Sequence, residues 1–200
     1  MSRLAKSLIV SLTLFVAYGA QKGKTTFSPG PASSYENKVT IQKLTIAAVP
    51  YESDAQTKTA FGKVNPNEYG VLPVLLVMQN DSDQVLRLDR MKIEYILPNR
   101  ERVEPIPAKD VPYVRAPKRP NMNPSPLPIP RRSGKNPLQI YEIEGRAFTA
   151  KMLPPGESAH GFVYFHTTHR NDSVLYITGI YEASTGNELF YFEIPLKSER

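Results

Sequence analysis

The sequence predicts an all-β protein, an antiparallel sandwich of about seven to nine strands carrying a long proline-rich basic loop. Three observations predict it. Beyond the N-terminus, apolar residues recur with period two and never with a sustained 3.6-residue period. Clusters of Asn, Asp, Ser, Gly and Pro separate these runs at the intervals that short strands require. The stretch "VRAPKRPNMNPSPLPIPRRSGKNP" interrupts the pattern with proline and positive charge.

Taken in chain order, residues 1–19 read as a signal peptide. Arg3 and Lys6 precede an apolar run at 8–17, and Ala17 and Gly19 flank Tyr18 as a small-x-small cleavage site. Roughly 13 apolar residues are too few to span ~30 Å of hydrocarbon as a helix, so cleavage is expected rather than anchoring. Residues 20–37 are rich in Gly, Pro, Ser and Thr and read as a flexible lead. A single domain then occupies residues 38–196, with residues 107–137 as the insertion.

Within that domain, Val39 and Ile41, then Leu44, Ile46 and Ala48, alternate with polar residues; the change of register near Lys43 suggests a bulge. "GVLPVLLVMQN" is nearly continuous apolar, the mark of a strand buried on both faces, with Pro73 pointing to its start or to an edge. "NDSDQ" is a turn returning through Leu86 and Leu88. Met91, Ile93, Tyr95 and Leu97 alternate in the next strand, and "PNRE" closes a tight turn. Val103 and Ile106 suggest one short strand. "RAFTAKML" and "GFVYFHT" follow the basic segment as strands, and "EASTGN" joins "VLYITGIY" to "ELFYFEIPL" as a hairpin. Only "NPLQIYEIEG" is read as helical.

The pairing of "VLLVMQNDSDQVLRL" with "LPPGESAHGFVYF" resembles the exported bacterial immunoglobulin-like domains of the telokin-like kind. That resemblance covers roughly residues 38–196. It implies a binding, adhesion or accessory role outside the cytoplasm and brings no catalytic residues with it. The long basic insertion departs from the compact pattern of those domains.

There is no cysteine, so disulfides, thiolate metal sites and a lipidated N-terminal Cys are excluded, and the domain must be held by its core. The formal charge of +6 is local. Without Arg3 and Lys6 it is +4, while residues 109–135, with seven basic residues and Asp110, carry +6 alone and leave −2 elsewhere.

No catalytic constellation stands out, and an enzyme is not expected. His160 and His166 are about 20 Å apart if they lie on one strand at ~3.3 Å per residue, too far to share a metal. His166 and His169 fall on opposite faces. Asp81 and Asp83 lack the later ligands of a calcium loop and read as turn residues, as does Asn171 in the second "NDS". Ser158 and His160 lack a nucleophile elbow. Glu142 and Glu144 are two apart and would share a face if this segment were a strand, the spacing that suggests a polymer hydrolase. No cofactor or metal is expected.

Ten of the nineteen prolines lie in residues 105–137, which favours extended backbone and forbids regular pairing. Arg115, Lys118, Arg119, Arg131, Arg132 and Lys135 are the expected partner-binding residues. With only Tyr113 as an aromatic neighbour, nucleic acid is not the expected partner. An anionic envelope component or an envelope protein is, for a chain that is periplasmic or secreted. At ~1 kcal/mol per basic residue near an anionic surface, a net +6 supplies up to about 6 kcal/mol, a Kd of tens of micromolar. Strand addition into an envelope assembly is the alternative.

Overall fold

The computed structural model describes residues 27–114 and 136–197. The fold is mostly β, with antiparallel sheets and few helices. Twelve strands occur among the described residues, and five of them are two-residue pieces. The longer ones are β1 (Lys38–Ile41), β2 (Leu44–Pro50), β3 (Leu72–Asn80), β5 (Lys92–Ile96), β9 (Ser158–Phe165), β10 (Ser173–Thr178) and β12 (Phe192–Leu196). The short ones are β4 (Leu86–Arg87), β6 (Arg102–Val103), β7 (Pro105–Ile106), β8 (Met152–Leu153) and β11 (Tyr181–Glu182). They form a five-stranded sheet in the order β1-β2-β3-β9-β7, a four-stranded sheet β12-β10-β5-β6 and a small sheet β11-β4-β8.

Strand alternation sorts the core into two clusters. From the five-stranded sheet, Leu44, Ile46, Leu72, Val74, Leu76, Met78 and Phe165 join Ile93, Tyr95, Leu175, Ile177, Phe192 and Ile194 of the four-stranded sheet. The intervening residues of the same strands, Ala47, Val49, Leu75, Val77, Phe162 and Tyr164, point the other way. There they meet Phe61, Val111 and Ile143 from the helical segments and Leu138 from a turn. This double burial is why the sequence around "VLPVLLVM" is apolar without a break. Each such side chain contributes about 1.5–3 kcal/mol when fully buried. Pro73 is the second residue of β3, beside Leu72 at the strand's start. Its carbonyl accepts from Tyr51 N at 2.9 Å.

Several expectations are corrected. The register change at Lys43 is a two-residue hairpin rather than a bulge. Ile41 faces Leu44, and Gln42 (φ 48°) and Lys43 (φ 64°) both take the left-handed backbone that a type I′ turn needs. Lys43 O is tied down by Asp81 N at 2.9 Å. A second helix, α1 (Asp54–Phe61), was not expected beside the one in "NPLQIYEIEG". Its start is a capping box: Ser53 Oγ accepts from Gln56 N at 3.3 Å, and Ser53 N donates to Gln56 Oε1 at 3.1 Å. The anticipated helix is α2 (Tyr141–Gly145). Val103 and Ile106 belong to different sheets, since β6 pairs with β5 and β7 with β9, so the chain changes sheet at Glu104. The "EASTGN" connection does join paired strands, β10 and β12, but part of it splits away as β11 to pair with β4.

The lead at 20–37 also differs from expectation over its described part. Phe27 packs against Phe162 with ring centroids 5.3 Å apart, and Ala32 is fully buried. Asn37 donates its side-chain amide to Lys197 O at 2.9 Å. These residues are part of the fold because the outer face of the five-stranded sheet needs them as cover.

The two stretches "VLLVMQNDSDQVLRL" and "LPPGESAHGFVYF" meet at Asn80, which is fully buried. Its backbone N donates to Glu157 O at 3.0 Å, and its carbonyl accepts from Gly156 N at 2.7 Å. Its amide donates to Gln84 O at 2.8 Å and Leu153 O at 3.0 Å. Its side-chain oxygen accepts from Ser82 N at 3.1 Å and Ser82 Oγ at 2.6 Å. Every polar atom of the side chain is thus satisfied inside the protein, as burial demands.

Candidate functional site

The basic residues Arg115, Lys118, Arg119, Arg131, Arg132 and Lys135 lie outside the described residues, but the two ends of their segment do not. On the near side a 3-10 turn, Ala108–Tyr113, buries Val111 and Pro112 in the outer core. On the far side Leu138 is 2% exposed, and Leu138 N donates to Asn136 Oδ1 at 3.1 Å. The Asn136 amide donates directly to Pro112 O. Tyr164 Oη, from β9, donates to Ile143 O at 2.7 Å and fixes α2 beneath this junction. Burial pushes the Tyr164 phenol far above its ordinary value, so it stays a neutral donor. The described chain on either side of residues 115–135 is therefore tied together at one neck, built by a turn, a helix and the outer face of β9.

Against α2 is a cavity of about 400 Å³ that sequence reasoning missed. Phe27, Tyr141, Arg146, Thr149 and His160 line it, together with Gly145 and Ala147. The Arg146 guanidinium lies over the Phe27 ring, 5.0 Å from its centroid, and the Phe27 ring packs in turn on Phe162. Arg146 Nη1 reaches Thr59 O at 3.5 Å, and Arg146 forms no ion pair among the described residues. The backbone at Arg146 is set by β9: Phe162 N donates to Arg146 O at 2.7 Å, and Phe148 N to Phe162 O at 2.9 Å. Gly161 permits that approach, because a Cβ there would sit 2.5 Å from Phe148 Cα and N. The Tyr141 ring is 84% exposed and lies over Gly145, where a Cβ would meet it at 2.8 Å. Phe27 escaped notice because it stands in a segment read as a lead; Arg146 and Tyr141 carried no motif.

A second concavity, of about 490 Å³, runs beside β7. Its walls include Met91, Ile93, Ile106, Phe148 and Val163.

The remaining candidates fall elsewhere. Glu142 and Glu144 are on helix α2, not on a strand; two residues apart at 3.6 per turn they point to opposite sides, so the shared face that a carboxylate dyad needs is not formed. His160 is exposed on β9, His166 follows the end of that strand, and His169 accepts or donates at Nδ1 with Tyr95 Oη at 2.8 Å. Among the described residues no group of three or more His, Cys, Asp or Glu is placed to hold a metal ion. Asp81 and Asp83 flank Ser82 in the turn closed by Asn80. Ser158 begins β9, opposite Gln79. Among the described residues no helix is long and apolar enough to cross a membrane.

No family model and no curated protein matches the chain. Among solved structures, the yjhA protein from Bacillus subtilis is similar at a TM-score of 0.40 and 8% identity, over 81% of this chain and 97% of that one.

Proposed function

We propose that the protein is a non-catalytic, exported binding or scaffolding module of the cell envelope. In this reading it is a telokin-like immunoglobulin sandwich that presents residues 115–135 as an electrostatic contact surface. The observation that carries the reading is the neck: Asn136 bonded to Pro112, with Val111 and Leu138 buried on either side. The two ends of the basic segment are thus anchored close together on a packed surface, so the six charges all belong to one stretch attached at one place on the body. Arg115, Lys118, Arg119, Arg131, Arg132 and Lys135 then meet an anionic partner, a phosphorylated lipid headgroup, an acidic polysaccharide or an acidic protein. Contacts of this kind are weak, salt-sensitive and suited to localisation.

Replacing those six residues with Gln tests the proposal. Binding to isolated envelope fractions at low salt should be lost while the melting temperature stays unchanged. Unaltered binding refutes it.

The second reading is strand addition. It is favoured by the apolar concavity beside β7, which is the end strand of the five-stranded sheet and only two residues long. A partner strand laid along that edge would extend the sheet by main-chain hydrogen bonds. Such a complex survives high salt, which separates it from the first reading.

A further inference from the structure

We infer that the cavity between Phe27, Tyr141, Arg146 and His160 is a binding site for a sugar acid, a pyranose ring bearing a carboxylate. Four features lead there. First, the Arg146 guanidinium lies over Phe27 and turns Nη1 toward Thr59 O, which leaves its Nε–Nη2 edge for a ligand. That edge matches a carboxylate with two parallel hydrogen bonds. Second, among the described residues no acidic side chain lines the cavity and Arg146 has no ion-pair partner, so none of them takes up its charge. Third, the exposed Tyr141 ring, seated over Gly145, offers an apolar face to the C–H face of a sugar. Fourth, Thr149 and His160 bring a hydroxyl and an imidazole, partners for ring hydroxyls, to the same walls.

The alternatives fit less well. A phosphate dianion calls for several donors, and among the described residues this cavity is lined by one guanidinium and no lysine. A purely apolar ligand would leave Arg146 without a counter-charge in a partly enclosed space. At about 400 Å³ the cavity is at the small end of ligand pockets, suited to a single sugar unit at a chain end. Binding here calls on no residue of 115–135.

Titration of the full chain with galacturonate, followed by calorimetry and by NMR shifts of the His160 ring, tests this. Galactose, benzoate and inorganic phosphate serve as the comparison probes. Saturable millimolar binding of galacturonate is expected for so small a ligand, with galactose at least about tenfold weaker because it lacks the charge-assisted pair. Arg146→Lys keeps the charge but loses the fork and should weaken galacturonate about tenfold. Tyr141→Ala removes an exposed ring without touching the core and should weaken galacturonate and galactose alike. Neutralising the six basic residues of 115–135 should leave galacturonate binding unchanged, which separates this site from the envelope contact. The inference is overturned if galacturonate does not saturate, if galactose, benzoate or phosphate binds as tightly, or if Arg146→Lys binds as the parent does.

Discussion

Replacing Asn80 with Ala removes one side chain and exposes how the fold is closed. The side chain makes four hydrogen bonds, two as donor to Gln84 O and Leu153 O and two as acceptor from Ser82. Ser82 can turn to solvent, so its two bonds matter little. Leu153 O is buried and loses its donor from the side chain, at about 1–3 kcal/mol. Gln84 O is part-buried and loses less, about 1 kcal/mol. Together with a small cavity, the expected loss is about 3 kcal/mol. Urea denaturation should show it as a lower midpoint with an unchanged slope, and the melting temperature should fall by roughly 6–12 °C for a chain of this size. Asn80→Asp keeps the shape but replaces the two donors with a buried carboxylate, and should be at least as damaging. A loss below about 1 kcal/mol for Asn80→Ala would refute the reasoning, since it would mean that the junction of the two turns does not depend on this amide.

Three further predictions follow from local geometry. Burial holds His169 below its ordinary pKa of 6.5, against a weaker opposing pull from Glu52, and Tyr95 Oη, which already accepts from Arg170 N at 3.3 Å, faces its Nδ1. With the folded value below the unfolded one, stability is fully present above about pH 6.5 and lost as pH falls through the folded value; thermal melts should show this decline, and His169→Gln should flatten it. Gly161→Ala forces a Cβ against the Phe148 backbone and should cost about 3 kcal/mol by calorimetric melting; a neutral result would mean that residues 146–148 shift freely. Ser53→Ala removes the cap of α1 and should cost about 1 kcal/mol, visible as faster amide exchange in the helix before any change in β10.

What the sequence revealed depends on how local the signal is. The doubly buried β3 and the alternating β5 and β10 were legible because strand burial leaves a period-two or continuous apolar trace in the residues themselves. The hairpin at Gln42 and Lys43 was misread because neither residue is Gly or Asn, the usual markers of positive φ. Helix α1 was missed although Ser53 and Gln56 spell a capping box; its eight residues bury only Thr57, Ala60 and Phe61, too few to print a helical period. The switch of sheet at Glu104 is a tertiary event with no local marker. The cavity was illegible for the same reason: Phe27, Tyr141, Arg146 and His160 come together only when residues 146–148 cross β9 at Gly161. The basic segment was the opposite case, since charge and proline content are plain in composition, and the structure adds the neck that holds its two ends.

The most direct test of the central claim is co-sedimentation with envelope fractions across a salt series. It compares the intact chain with one in which residues 115–135 are replaced by a short Gly-Ser link that preserves the Asn136–Pro112 neck. The account predicts that the intact protein pellets at low salt and is released as salt rises, while the shortened one stays in the supernatant throughout. If both pellet alike and resist salt, the contact lies on the sheets rather than on the basic segment, and the account is contradicted.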